Sequence, residues 1–184
     1  MNAPRQLTVR HAKPEDLEAL LVIEEVSFSM PWPKEVLLRD LMGERGECYW
    51  VAVLNEQIVA YIGGWVVGTD FHIGSLATGP AYRRRGIAKL LMLCALQYAA
   101  GQGAEMAFLE HRISNRAAAA LYEELGFRRL RVRRGYYSDK GEDAVELALS
   151  GLQSEATRLR LEQELAIWLR DHRYDVRLTD LECE

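Results

Sequence analysis

The amino-acid sequence predicts an α+β domain in which a mixed sheet of about seven strands is flanked by about four helices and followed by an added carboxy-terminal helix. Three observations carry this expectation. Short runs rich in Val, Ile, Tyr and Trp recur between turn residues up to about residue 150. One segment, from Ile87 to Tyr98, places Ile87, Leu90, Leu91, Cys94, Ala95 and Tyr98 on a single helical face. From Leu152 the pattern changes to a charged stretch in which Leu161, Leu165, Trp168 and Leu169 keep helical spacing. A chain of 184 residues is therefore read as one main domain, residues 5–150, with a helical extension, residues 151–184.

Taken in order, Leu7 and Val9 alternate with polar neighbours in an opening strand, residues 6–11. Pro14 begins a helix because a proline at the first position loses no hydrogen bond; Glu15 and Asp16 suit the positive end of the helix dipole. Its apolar stripe is Leu17, Leu20, Leu21 and Phe28. A second short helix follows Pro33, carries Val36, Leu37 and Leu41 inward, and ends at Gly43. Residues 48–54 and 57–67 form a hairpin across Asn55-Glu56, and Phe71–Thr78 is a further strand in which Gly74 marks a bulge or a close backbone approach. The long helix from Ile87 stops at Gly101 and Gly103, and Glu105–His111 returns as a strand. Ser114–Leu125 is then a helix capped by Ser114 and closed by Gly126, before a last pair of strands at 127–136 and 143–149.

Composition removes several classes. With 49% hydrophobic and 27% charged residues the chain is neither collagen-like nor disordered. The longest uncharged stretch, Leu90 to Ala104, has 15 residues, short of the roughly 18 that a membrane-spanning helix needs. Arg5 and Arg10 precede any apolar run, so no secretory signal is read, and the cytoplasm is the expected compartment. Cys48, Cys94 and Cys183 are too scattered for a disulfide framework and are taken as reduced thiols; the four histidines show no metal-ligand spacing, so no metal is expected. A net charge of −4 argues against nucleic acid as a partner.

The chemically informative segment is Arg83-Arg84-Arg85-Gly86-Ile87-Ala88-Lys89. It joins a strand to the best helix, so unpaired amides, the helix dipole and arginines meet there. Gly86 and the small Ala88 let an anion approach the backbone. A solvated basic turn is the competing reading. A Walker A loop and a dinucleotide fingerprint are both excluded by the glycine pattern.

This segment resembles the pyrophosphate loop of the GNAT superfamily of acetyl-coenzyme A dependent N-acetyltransferases, Gln/Arg-x-x-Gly-x-Gly/Ala, through Arg83, Gly86 and Ala88. Further resemblances follow in order: Leu109-Glu110-His111-Arg112-Ile113-Ser114-Asn115, then Ala120-Leu121-Tyr122-Glu123-Glu124-Leu125-Gly126-Phe127. Within the superfamily the chain is most similar to the RimI type, alanine N-acetyltransferases of a small-subunit ribosomal protein. The marks of that type are Pro31-Trp32 after Phe28, the Glu110 motif, Arg134-Gly135-Tyr136-Tyr137 and Gly141-Glu142-Asp143-Ala144.

The resemblance implies a mostly antiparallel sheet, acetyl-coenzyme A as co-substrate and a protein amino terminus as acceptor. It implies Glu110 as general base, direct or through water, and Tyr122 as general acid. Leu76, Ala77, Thr78, the segment Arg83, Arg84, Arg85, Gly86, Ile87, Ala88 and Lys89, and Asn115 are implied as coenzyme contacts. Asn115 and Tyr122, seven residues apart, are expected on one helix face. Phe28 and Trp32 either shape the acceptor entrance or pack the first two helices together. Tyr136 and Tyr137 either close the acceptor tunnel or anchor a turn.

Alternation places Arg129, Arg131 and Arg133 on one strand face, as a solvated face or a basic rim for the acceptor or the coenzyme's phosphate. The sequence departs from the type at Thr78-Gly79-Pro80-Ala81, where acidic residues are usual, at His111, and in the length of the tail. A lysine, polyamine or other small-amine acceptor, and a non-catalytic acyl-coenzyme A binding module, are the alternative readings.

Overall fold

The structure, a computed structural model, describes residues 5–43 and 46–179. Cys183 and the end of the extension lie outside those residues. The elements are β1 (Arg5–His11), α1 (Leu17–Ser27), α2 (Lys34–Leu41), β2 (Glu47–Leu54), β3 (Gln57–Val67), β4 (Asp70–Thr78), α3 (Ile87–Gly101), β5 (Met106–Arg112), α4 (Arg116–Glu124), β6 (Arg128–Tyr137), β7 (Glu142–Ser150), α5 (Glu155–Asp171) and β8 (Tyr174–Leu178), with short 3-10 turns at Pro14–Asp16 and Pro80–Tyr82. All eight strands form one sheet in the order β6-β7-β5-β4-β3-β2-β1-β8. The pairs β4–β5 and β1–β8 are parallel and the others antiparallel.

Two apolar cores form because the sheet is covered on both faces. On one face α3, α4 and α5 bury Leu90, Leu91, Tyr122, Leu125, Leu161 and Trp168 with Val9, Trp50, Ile62 and Leu109 of the strands. On the other, Leu17, Leu20 and Ile23 of α1 and Leu37 and Leu41 of α2 pack on Tyr49, Val51, Tyr61 and Ala77. The helical stripes expected from the sequence are these buried faces, except that Leu169 of α5 is exposed. The β2–β3 hairpin turns through Asn55 and Glu56, both left-handed at φ 48° and 68°, which suits the twist of the paired strands. Among the described residues no helix is long and apolar enough to cross a membrane.

Local details differ from the sequence expectation. The cap of α4 is Asn115, whose Oδ1 accepts from the Ala118 N–H at 3.1 Å, so Asn115 precedes the helix instead of sharing a face with Tyr122. The predicted cap Ser114 is drawn off by Glu142, whose carboxylate accepts the Ser114 N–H at 2.9 Å. The extension is not only helical: β8 adds a strand whose Tyr174, Val176 and Leu178 alternate as a sheet edge requires, paired in register from Arg5↔Tyr174 to Val9↔Leu178. Cys48 is disulfide-bonded, contrary to the expectation of reduced thiols. Cys94 is free and buried, and burial pushes its thiol up to about 12, which leaves it an inert core residue.

Bulges redirect one inner strand and one edge strand. On β4, Gly63 faces Ser75 but Gly64 faces Ile73, so Gly74 is the extra residue. A Cβ there would lie 2.7 Å from the Trp65 ring, so Gly74 is both the bulge and the close approach expected of it. On β6, Arg129 opposes Leu147 while Arg131 opposes Glu146. The shift at Leu130 puts Arg129 on one face and Arg131 and Arg133 on the other, correcting the single basic face read from alternation.

The cap assignment makes a simple forecast. Asn115→Ala lowers stability by about 1 kcal/mol in urea unfolding, whereas Ser114→Ala changes it by a few tenths. A larger loss for Ser114→Ala than for Asn115→Ala would return the cap to Ser114.

Candidate active site

The site begins where two strands part. β4 and β5 pair in parallel from Asp70↔Met106 to Ile73↔Leu109. Beyond that, β4 keeps only its ladder to β3, as far as Ala60↔Thr78, and β5 only its ladder to β7, as far as Arg112↔Ala144. The facing edges of Gly74–Thr78 and Glu110–Arg112 are left without a ladder between them, so a gap opens through the middle of the sheet.

Glu110 is the first residue of β5 past the last paired rung. It lies on the same face as Phe108, whose ring stacks on His72 at 5.4 Å. Its cross-strand neighbour is Glu146, a like-charge pairing that costs stability unless it is compensated. Two arginines compensate it: Arg133 Nη1 donates to Glu110 Oε1 at 3.1 Å, and Arg131 Nε donates to Glu146 Oε2 at 2.8 Å. Arg133 also lies over the Tyr136 ring, 4.2 Å from its centroid. The Glu110 side chain remains 31% exposed, so it can still meet a ligand in the gap.

Tyr122 lies on the opposite face of β5, against His111. It projects from α4 and is buried, 5.9 Å from the His111 ring and 6.0 Å from Phe127. Burial, reinforced by nearby Tyr137, raises its phenol above the ordinary value. The group therefore stays protonated, as a hydrogen-bond donor, throughout the neutral range. Tyr137 is pushed up to about 12 by burial, and both Arg112 and Glu110 act on it electrostatically. Tyr137 is thus electrostatically coupled both to Glu110 and to Tyr122. His111 is buried, with Nδ1 donating to the Arg112 carbonyl at 2.7 Å. It faces Tyr122 and not the Glu110 side, as alternation predicts.

The segment after β4 has the backbone an anion requires. The amides of Arg84, Arg85, Gly86, Ile87, Ala88 and Lys89 have no hydrogen-bond partner among the described residues, and Arg84 and Gly86 are left-handed at φ 61° and 78°. Such successive amides at a helix start form an anion-binding concavity. Thr78 adds a buried Oγ1 with no partner among the described residues, and Leu76 and Ala77 precede it on the unpaired strand edge. These features fit a diphosphate continued by an extended amide-bearing arm.

The side chains of the segment divide their roles. Arg83 Nε donates to the Thr78 carbonyl at 2.9 Å and Arg85 Nη2 to the Ala81 carbonyl at 2.8 Å, so both brace the turn. Arg84 is exposed and makes no side-chain bond among the described residues. Lys89 is held between Glu124 and Glu164 at 2.8 and 2.7 Å.

Opposite the gap, the predicted acceptor residues are brought together from distant parts of the chain. Trp32 donates from Nε1 to Ser75 Oγ of β4 at 2.8 Å and remains 44% exposed; Phe28 packs against the α1–α2 core. Between them, the Ser29 hydroxyl donates to Asp139 of the β6–β7 turn. Arg112 ties the same two loops, donating to Ser29 and Asp139 at 2.9 Å while lying 4.1 Å from the Tyr137 ring centroid. Tyr136 and Tyr137 contact edge to face at 5.2 Å.

This architecture and this sequence have known counterparts. Residues 17–127 match the Acetyltransferase (GNAT) family. The chain belongs to the GNAT acetyltransferase family. The enzyme is 32% identical to the ribosomal protein bS18-alanine N-acetyltransferase of Escherichia coli over 146 residues, covering 77% of this chain and 96% of that protein. It is 31% identical to an N-alpha-acetyltransferase of Saccharolobus solfataricus, covering 78% and 93%. The crystal structure of the Escherichia coli ribosomal-protein-S18-alanine N-acetyltransferase superposes with a TM-score of 0.73, at 31% identity, over 79% of this chain and 94% of that one. Arabidopsis thaliana NAA60, crystallised in complex with acetyl-CoA, shares the fold at a TM-score of 0.73 and 22% identity, over 79% and 98%.

Sequence reasoning missed one conspicuous group of this acetyltransferase. Glu24 of α1 is fully buried. Its Oε2 accepts from the Trp32 N–H at 2.8 Å and its Oε1 accepts from the Tyr61 hydroxyl, so it fixes the loop that carries Trp32. The available signal was a carboxylate on the apolar stripe, four residues from both Leu20 and Phe28. Burial pushes Glu24 from 4.5 up to about 7, against the opposing pull of the Trp32 N–H. Arg112 and Asp139 were also missed, because the contact that joins them to Ser29 spans far more chain than any motif.

The Glu24 shift has a definite sign. Between about pH 4.5 and 7 the folded enzyme retains a proton that the unfolded chain releases, so this contribution is complete below pH 4.5 and is lost as pH rises through 7. Glu24→Gln, which cannot ionise, gains on the wild type by up to about 3 kcal/mol across that window in urea unfolding at graded pH. A difference independent of pH would show that Glu24 is ionised throughout.

Proposed function

We propose that this acetyltransferase moves an acetyl group from acetyl-coenzyme A to the α-amino group of a protein, the amino-terminal alanine of a small-subunit ribosomal protein being the preferred acceptor. The observation that carries the reading is the gap between β4 and β5. Glu110 stands at its β5 edge, the buried phenol of Tyr122 packs against His111 of that same edge, and unpaired amides follow the β4 edge. The relatives named for alanine and α-amino acetylation, together with the aromatic and arginine-tied loops over the gap, support the choice of acceptor.

When bound, the coenzyme supplies a thioester. The amides of Arg84–Lys89 and the side chain of Arg84 would hold its diphosphate, and Thr78 with the open edge of β4 would pair with the amide-bearing arm. Several such bonds together, at about 1.5 to 3 kcal/mol for each charge-assisted one, suffice to hold the diphosphate at the loop.

Glu110 removes the proton from the acceptor ammonium, directly or through one water, and frees the nitrogen lone pair for attack on the acyl carbon. Tyr122 gives its hydroxyl proton to the departing sulfur, so the phenol's protonated state is the one the reaction needs. Tyr136, Tyr137, Phe28 and Trp32 enclose the incoming peptide terminus and exclude water from the gap. An α-amino group, with a pKa near 8 against about 10.4 for lysine, offers roughly a hundredfold more neutral amine at pH 7. A single carboxylate base is thus matched to the terminal amine.

Two measurements test this. Incubated with acetyl-coenzyme A and a peptide panel, the enzyme acetylates Ala-initiated peptides at the terminus in mass spectra; exclusive modification of internal lysines or polyamines would overturn the acceptor. Glu110→Gln and Tyr122→Phe each lower kcat by about 100- to 10,000-fold with coenzyme binding retained. Turnover within a few-fold of wild type would remove that residue from its role.

A further inference from the structure

The carboxy-terminal segment meets the chain at the anion-binding turn itself. Trp168 of α5 is 2% exposed, and its Nε1–H donates to the Gly86 carbonyl at 2.9 Å, an oxygen that also accepts from the Leu90 N–H at 3.1 Å. His172 stacks on Trp168 with ring centroids 4.1 Å apart and planes 8° from parallel. Its Nδ1 donates to the Trp168 carbonyl at 2.9 Å, which turns Nε2 toward the loop. Tyr174 of β8 is stacked 6.0 Å from Trp168, and the β1–β8 ladder holds that strand in place. Glu164, one turn earlier on α5, pairs with Lys89 in the first turn of α3.

Gly86 is accordingly small for a reason the sequence did not disclose. A Cβ there would lie 2.4 Å from His172 Nε2 and 2.7 Å from Trp168 Nε1, so α5 and its following turn occupy the space that a side chain would take. The turn needs such support. Arg84 is left-handed at φ 61°, a conformation that costs a non-glycine residue of order 1 kcal/mol and persists only when its surroundings over-determine it. A loop whose amides are held in place before the ligand arrives loses less conformational entropy on binding.

We infer that the carboxy-terminal segment is a built part of the coenzyme site, with Trp168 and His172 as positioning residues that hold the Gly86 turn in its diphosphate-binding shape. This rests on the reading of residues 83–89 as the diphosphate loop. The two side chains act through the backbone of Gly86 and touch neither the acceptor nor the reacting atoms. Their loss therefore weakens the coenzyme and spares the chemical step.

The test uses full-length protein, with calorimetric titration of coenzyme A and steady-state kinetics with an Ala-initiated peptide. Trp168→Phe keeps a ring in the stack and removes the N–H donor. It raises the Kd for coenzyme A and the KM for acetyl-coenzyme A by about three- to tenfold, the range of one hydrogen bond. Its kcat and the KM for the peptide stay within twofold, and the Leu90 amide, which the Gly86 carbonyl holds, exchanges faster with deuterium. His172→Ala shifts the same two constants in the same direction and decides the matter should Trp168→Phe fail to fold.

Ile167→Ala, on the 42% exposed side of α5, is the control and behaves as wild type. An unchanged or tightened coenzyme affinity overturns the inference, as does a lowered apparent kcat with both KM values unmoved, which is the mark of a merely destabilised fold. Absence of coenzyme A binding by the wild type would instead overturn the reading of the loop.

Discussion

β4 and β5 stop pairing at Ile73 and Leu109 because each strand is committed elsewhere. The extra residue Gly74 shifts the register of β4 against β3, and β5 continues along β7 to Arg112. An interior sheet edge left without a partner is expensive, since buried backbone groups need hydrogen bonds. A gap of this kind is stable when water or an extended ligand supplies them. Glu110 points to the α1–α2 side of β5, while Tyr122 packs on its α3–α4 side against His111.

Three carboxylates around this opening are handled differently, and the differences follow from solvation. Glu110 and Glu146 face each other across β5 and β7, and each is neutralised by an arginine from β6. The Leu130 bulge is what turns Arg131 and Arg133 toward them. Both pairs remain partly solvated, so they are worth little to stability and more to orientation. Glu24 meets no such cation among the described residues; it is buried with a backbone N–H and a phenol, and it answers by holding its proton. One arrangement keeps an acid available to a ligand, and the other uses an acid as a fixed strut beneath a loop.

Local chemistry made much of the fold legible. The α3 stripe, the Asn55-Glu56 hairpin, the Gly43 helix stop and the Gly74 irregularity all depend on neighbours within a few residues, and each stands where expected. The same holds for the Arg83–Lys89 segment, which needs only a strand end, a glycine and a helix start. Where two local solutions compete, the outcome came from a distant partner. Ser114 and Asn115 are both good caps, and Glu142, 28 residues away, takes the Ser114 N–H.

What the sequence determined alone is therefore the run of elements up to about residue 150, including the strand, turn and helix start that open α3, because periodicity and turn stereochemistry act over a few residues. Tertiary structure decided the rest. It set which face each β6 arginine takes, because one bulge residue reverses every side chain after it. It decided that Glu24 would be buried and that Ser29 would meet Asp139. It also decided that the tail would close on Gly86 through Trp168 and His172. Those contacts join residues scores of positions apart, and nothing in the local pattern of either partner records the other.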